Sequence, residues 1–247
     1  MVAPVPEADL GSLLAVFAHP DDEAYLAGGV MASAADAGRR VVCVTATRGE
    51  LGFPDRDERT PDERMAVRTA ELAACLAELG VTEHHWLDLP DGGGDDVDPE
   101  VPVARLVQLI DEVRPDTTVT FGPDGQTFHV DHMAVSRWTT EAVARAQHPT
   151  RLLYAALTDE WVQAYADVGV DFDQVMMVPG AKPPTIPEAD VAVWVRLEGP
   201  ALDRKLRALQ CQASQVGMLI RQVGLANYVR QIADEFFVEP SGDDPTA

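Results

Sequence analysis

The chain has 247 residues, 46% of them hydrophobic, enough to bury one large core, and no composition break or Ser/Gly-rich linker divides it. Its formal net charge is -22 and its only lysines are Lys182 and Lys205, which excludes a protein that grips a nucleic-acid backbone through clustered cations. No apolar run approaches the roughly 20 residues that span a bilayer, and Cys43, Cys75 and Cys211 lie far apart without a Cys-x-x-Cys pair, as structural thiols of a reducing compartment do. With no basic leader segment, a cytoplasmic location is expected.

Taken in order, Leu13 to Ala18 reads as a buried strand that delivers His19-Pro20-Asp21-Asp22-Glu23 to the start of a helix over Ala24 to Ala37, closed by Gly38. Gly28 and Gly29 inside that helix cost about 1 kcal/mol each relative to Ala, so a close backbone approach is expected there. Arg40 to Thr47 is a second strand, ending in Thr47-Arg48-Gly49-Glu50, and the charged stretch 53–63 forms a loop over the same edge. Thr60-Pro61-Asp62-Glu63 starts a helix with an N-cap, Pro at its first position and acids in its first turn, and Gly80 stops it. Trp86 to Leu89 reads as a third strand, Pro90 to Asp96 as an acidic loop, Glu100 to Val113 as a helix and Thr117 to Phe121 as a fourth strand. Phe128-His129-Val130-Asp131-His132 then opens another helix.

Leu152 to Leu157 and Val191 to Leu197 are further strands, with an irregular lid or side wall between them over 158–190. Helices are expected at Ala201 to Gln212 and Val223 to Phe236. The alternation of strand and helix predicts an α/β fold: one doubly wound, mostly parallel, Rossmann-like sheet flanked by helices, spanning 1–238, with a flexible acidic tail over 239–247.

Two polar clusters fall on the carboxyl edge of that sheet, where open α/β sheets bind their ligands: His19, Asp21 and Asp22 after the first strand, and His129, Asp131 and His132 after the fourth. His19 and Asp22, three apart around a turn, suit one divalent ion, and a ligand set of His, Asp and His with an open position is that of a catalytic zinc site. Asp21, next to a ligand but free, is the candidate general base. A second imidazole, His129, is placed to stabilise an oxyanion and protonate a departing amine, with Asp131 holding its tautomer. Each cluster alone has a plainer reading: acids at a helix start suit the helix dipole without binding anything, and His-x-Asp-His suits a solvated turn. Three of the six histidines standing at strand ends beside carboxylates make coincidence a poor account of both together. His84, His85 and His148 read as structural or exposed.

These residues resemble the PIG-L, or LmbE-like, family of zinc-dependent de-N-acetylases over roughly residues 13–135. The hallmark Ala-His-Pro-Asp-Asp-Glu stands unbroken as Ala18 to Glu23, and a His-x-Asp-His element as His129 to His132. Gly49-Glu50, Arg68-x-x-Glu71-Leu72 and Lys205-x-x-Ala208-Leu209 before Ser214-Gln215 support it. The resemblance implies one zinc per chain on His19, Asp22 and His132, Asp21 as base, His129 as acid and oxyanion partner, and Arg68 and Asp91 on sugar or inositol hydroxyls. Arg68 would otherwise pair with Glu71 on its own helix. Val130 departs from the usual Pro, which loosens the loop without removing a functional group; Thr127-Phe128 departs from a frequent Tyr-Gly, which removes a hydroxyl near the oxyanion and makes the pocket floor bulkier; and Gln212 departs from a frequent His that contacts substrate near the C-terminal helix.

The expected function is therefore hydrolysis of an N-acetyl group from an N-acetylglucosamine-type amino-sugar conjugate. The alternatives are an amidase for a thiol-sugar, mycothiol-like conjugate and a non-catalytic sugar-binding relative. Two His and one carboxylate also suit Fe2+ or another divalent ion, as in iron oxygenases, whereas the missing Gly-x-Gly-x-x-Gly argues against a nucleotide-dependent dehydrogenase. A small-molecule substrate, no nucleic acid and no membrane are the expected partners, and a homo-oligomer is compatible with the sequence.

Overall fold

The computed structural model describes residues 3–241 apart from 55, 171, 173 and 174, and strand alternates with helix along most of it. The strands are β1 (Leu13–Phe17), β2 (Val41–Thr45), β3 (Glu83–Trp86), β4 (Thr117–Phe121), β5 (Arg151–Ala156), β6 (Val193–Arg196) and β7 (Asp234–Val238). The helices are α1 (Asp22–Asp36), α2 (Pro61–Leu79), α3 (Glu100–Val113), α4 (Val130–Arg145), α5 (Asp159–Asp167), α6 (Gly199–Cys211), α7 (Ala213–Val223) and α8 (Leu225–Gln231). Part of the acidic tail, residues 242–247, lies outside the described residues. No helix among the described residues is long and apolar enough to cross a membrane.

One seven-stranded sheet runs in the order β3-β2-β1-β4-β5-β7-β6. The first five strands are parallel and every side chain of β1, β2 and β4 is buried, as a sheet covered by helices on both faces requires. Because β1 lies between β2 and β4, the chain reverses its direction of travel across the sheet at the β1/β4 junction. The loops leaving those two strands therefore diverge to opposite faces and open a crevice between them.

Local chemistry accounts for the boundaries. Thr60 and Glu63 cap α2 reciprocally, with the Thr60 N–H donating to Glu63 Oε2 at 2.8 Å and the Glu63 N–H donating to Thr60 Oγ1 at 3.3 Å. The third strand lies three residues earlier than expected, although Leu87 and Leu89 still donate to Thr45 and Ala46 and prolong the edge.

The expectation for 223–236 is overturned. Gly224, at φ 79°, ends α7, a short α8 follows, and Asp234–Val238 is a strand inserted antiparallel between β5 and β6. A short apolar run does not distinguish helix from buried strand by spacing, and here pairing on both sides decides it.

Gly29 makes the expected close approach, since a Cβ there would come within 2.7 Å of Leu197. Beside it the Glu235 carboxylate, from β7, accepts the N–H groups of Gly29 and Val30 at 2.6 and 3.0 Å. Lys205 of α6 donates to Glu235 at 2.6 Å and to the Tyr25 carbonyl at 2.8 Å, and both charged side chains are fully buried. This pair ties α6 and β7 to the middle of α1. Lys205→Met or Glu235→Leu alone leaves an uncompensated buried charge and is expected to cost about 3–5 kcal/mol. The double variant recovers most of that in urea unfolding, because neither charge is then left buried without its counter-charge; additive losses would contradict this account.

Candidate active site

The β1–α1 turn is held by its own side chains. Asp21 stands at φ 110°, a strained conformation for a residue with a Cβ, and its N–H donates to Glu23 Oε2 at 2.9 Å. Glu23 is completely buried, and its other oxygen receives Gln212 Nε2 at 3.2 Å and the Cys75 thiol at 3.4 Å. Burial, reinforced by the Asp21 charge, pushes the Glu23 carboxyl up to about 8. Gln212, the departure from a frequent His, is thus a buried support of this turn.

The loop after β4 is equally constrained. Gly125, at φ 63°, passes so close to α4 that a Cβ would lie 2.7 Å from that of His132. Its carbonyl lies 2.9 Å from His132 Nδ1, and the Phe121 ring stacks on the imidazole with centroids 4.2 Å apart. A proton on Nδ1 satisfies that carbonyl and leaves the Nε2 lone pair facing the β1–α1 turn.

His19 is fixed the opposite way round. Its Nε2 stands 3.1 Å from both Asp91 Oδ1 and Asp131 Oδ2, so Nε2 carries the proton and Nδ1 faces His132 Nε2 at 3.1 Å. Asp22 completes the cluster, with Oδ2 3.5 Å from His19 Nδ1 and Oδ1 3.5 Å from His132 Nε2. Two imidazole nitrogens and a carboxylate meeting at one point suit a cation between them. Donors about 2.0–2.1 Å from a tetrahedral zinc stand about 3.3–3.4 Å apart, so the three residues fit such an ion.

His19, His129 and His132 also present ligand atoms within 4.8 Å of one another, as do His19, Asp91 and Asp131. The second set brackets the His19 nitrogen that bears the proton. In the first, His129 Nδ1 accepts the Asp131 N–H at 3.2 Å, so neutral His129 presents an N–H at Nε2 rather than a lone pair.

The electrostatics follow from this crowding. Burial opposes charge on His19, but Asp131, Asp22 and Asp91 outweigh it and hold the imidazole well above its usual range. Burial would raise Asp22, yet His132 and His19 hold it well below an ordinary carboxylate. Burial lowers His132 to about 4 and, with the His19 charge, also lowers His129. Burial raises Asp21 to about 7 against the pull of Arg68.

Of the eight residues singled out from sequence, seven line one cavity of about 640 Å³. Asp131 stands behind His19 instead, and its carboxylate, expected to orient His129, accepts the N–H groups of Gly92 and Gly94 at 2.7 and 2.8 Å and braces His19. Asp91 is also committed, to His19 and to the Leu51 N–H at 2.7 Å. Arg68 is buried and donates to the Pro20 and Gly49 carbonyls, with Asp21 at 3.5 Å. Its alternative partner Glu71 bonds Ser214.

Sequence reasoning missed Gln126, which lines the cavity with a buried, unpartnered Nε2. It also missed the supporting role of Glu23, although that residue sits in the motif. His84, His85 and His148 lie away from the site, against Thr45, Glu83 and the Pro115 carbonyl.

A family model described as PIG-L, GlcNAc-PI de-N-acetylase, matches residues 14–143, a span that contains both clusters. Two proteins named 1D-myo-inositol 2-acetamido-2-deoxy-alpha-D-glucopyranoside deacetylase are similar in sequence. That of Kineococcus radiotolerans is 40% identical over 162 residues, which is 54% of this chain and only 45% of the relative. That of Acidothermus cellulolyticus is 32% identical over 255 residues, covering 90% of this chain and 85% of the relative. Among solved structures, N,N'-diacetylchitobiose deacetylase from Pyrococcus horikoshii, complexed with its inhibitor MPG, shares the fold with a TM-score of 0.65. It is 22% identical, over 92% of this chain and 82% of that one.

Removing the Glu23 acceptor tests the support of the turn. Glu23→Ala orphans the Asp21 N–H and is expected to lower stability by about 1–3 kcal/mol, whereas Glu23→Gln keeps an acceptor and loses less than half of that. Equal losses in thermal melts would show that the hydrogen bond to Asp21 is not what Glu23 contributes.

Proposed function

The chain belongs to the PIG-L family of GlcNAc-PI de-N-acetylases, and from that premise we propose that it is a metal-dependent hydrolase that removes the acetyl group from an N-acetylglucosamine-type conjugate. The observation that carries the reading is the convergence of His19 Nδ1, His132 Nε2 and the Asp22 carboxylate on one point beside two further titratable groups, Asp21 and His129. In the net reaction water adds to the amide carbon, the C–N bond breaks, and acetate and a free amine result.

His19, Asp22 and His132 would hold the ion, for which zinc is the best match to two imidazoles and one carboxylate. When bound, it polarises the amide carbonyl and makes water acidic enough to attack near neutral pH. Asp21 accepts the proton of the attacking water: it lies in the same cavity, and burial raises its carboxyl to about 7, toward the range where a base works best. His129, with its proton on Nε2, donates a hydrogen bond to the developing oxyanion, and Asp21 hands the proton it took from water to the departing amine. Asp131 and Asp91 act through His19, fixing its tautomer, and Arg68 acts through Asp21; these three are positioning residues. One domain over 1–238 carries all of these groups.

The tests read release of primary amine. Chelation followed by dialysis abolishes release from methyl N-acetylglucosaminide or an N-acetylglucosaminyl inositol, and one equivalent of zinc restores it. Failure of every divalent ion to support release from any amino-sugar in the panel would sink the proposal. Asp21→Asn and His129→Ala each lower kcat by about 10²–10⁴-fold while zinc content stays at one per chain, and His132→Gln loses the zinc itself. Release of a cysteinyl acyl group from a thiol-sugar, without acetate release, would point to the amidase instead, and sugar binding without any release to a binding protein.

A further inference from the structure

The catalytic groups occupy only part of the cavity. Much of its remaining lining is apolar: Trp161 of α5, Phe172, Met176 and Met177 from the segment after α5, and Leu219 of α7. Among the residues that line it, Leu51, Met177 and Val175 are 65%, 51% and 40% exposed, so the apolar lining continues to the surface. The Met177 N–H donates to the Thr127 carbonyl at 2.9 Å, which ties this wall to the loop that carries His129.

Charge narrows what the wall can meet. Arg68 is the one Lys or Arg lining the cavity among the described residues, and its guanidinium is already engaged by two carbonyls and Asp21. A phosphodiester would meet no free Lys or Arg there, and a hydroxyl set against Phe172, Met176 or Met177 would find no side-chain partner in those residues.

We propose that the substrate of this site carries an uncharged apolar chain, on its acyl or its glycosidic side, that packs against Phe172, Met176, Met177 and Leu219. The proposal rests on the deacylase reading above and extends it to substrate class. A cavity of about 640 Å³ is in the range that encloses a sugar with such a chain.

The zinc-loaded full chain is assayed in two arms. One varies the glycoside of N-acetylglucosamine from methyl to butyl to octyl; the other varies the N-acyl group of methyl glucosaminide from acetyl to butyryl to octanoyl. The expected result is a rise in kcat/KM of about three- to fourfold per buried methylene in one arm, which identifies the side that bears the chain. Met177→Glu, at a half-exposed position that spares the core, and Leu219→Gln flatten that rise. A flat response in both arms, with the methyl glycoside of N-acetylglucosamine still turned over, overturns the proposal and leaves the deacetylase reading standing. If no substrate in either arm is turned over, that reading fails, and calorimetry with octyl glucoside decides the wall separately. Binding with a negative heat-capacity change that Leu219→Gln removes supports an apolar-chain site; no binding overturns it.

Discussion

The site depends on one constraint, the adjacency of β1 and β4 in a sheet whose path reverses between them. Leu13, Leu14 and Ala15 of β1 pair with Thr117, Thr118 and Val119 of β4 although about a hundred residues separate them. Their loops consequently leave the sheet side by side, one bearing His19 and Asp22 and the other leading to His132. Backbone hydrogen bonds thus perform the positioning that a pair of flexible loops would have to achieve at an entropic cost.

Adjacency alone would leave the rings free to rotate. The two histidines are locked in opposite tautomers by different partners, His132 by a carbonyl and His19 by a pair of carboxylates, so that their lone pairs face one another. Such an arrangement suits a cation between the rings, and the carboxylates of Asp22, Asp91 and Asp131 around His19 favour positive charge there. The strained Asp21 residue is held in the same way: Glu23, itself bonded by Gln212, takes its N–H, and Arg68 stands against its carboxylate. The buried Lys205–Glu235 pair anchors the middle of α1, whose first residue is Asp22, so the α6 and β7 packing reaches the site through a rigid helix.

The cavity joins two kinds of surface. Polar groups gather where the carboxyl ends of β1 and β4 meet, while the segment after α5 and Leu219 of α7 contribute apolar side chains. The titratable cluster and the apolar wall therefore lie on different parts of the chain: the cluster on the parallel half of the sheet, and most of the wall on later residues beyond the span that the family model matches.

The sequence by itself determined the parallel half of the fold and the two polar clusters. Those signals are local: five-residue runs of apolar and β-branched residues, an N-cap at Thr60, and a His-Pro-Asp-Asp-Glu turn immediately after a strand. Tertiary structure alone decided that Asp234–Val238 is a strand, because its partners β5 and β6 are distant in sequence and a short apolar run looks the same in either state. It alone decided that Asp131 and Asp91 serve His19, and that Arg68 turns from Glu71 to Asp21. A carboxylate's partner is set by which hydrogen-bond donors the folded backbone brings within about 3 Å, a distance to which neighbours in sequence have no privileged claim.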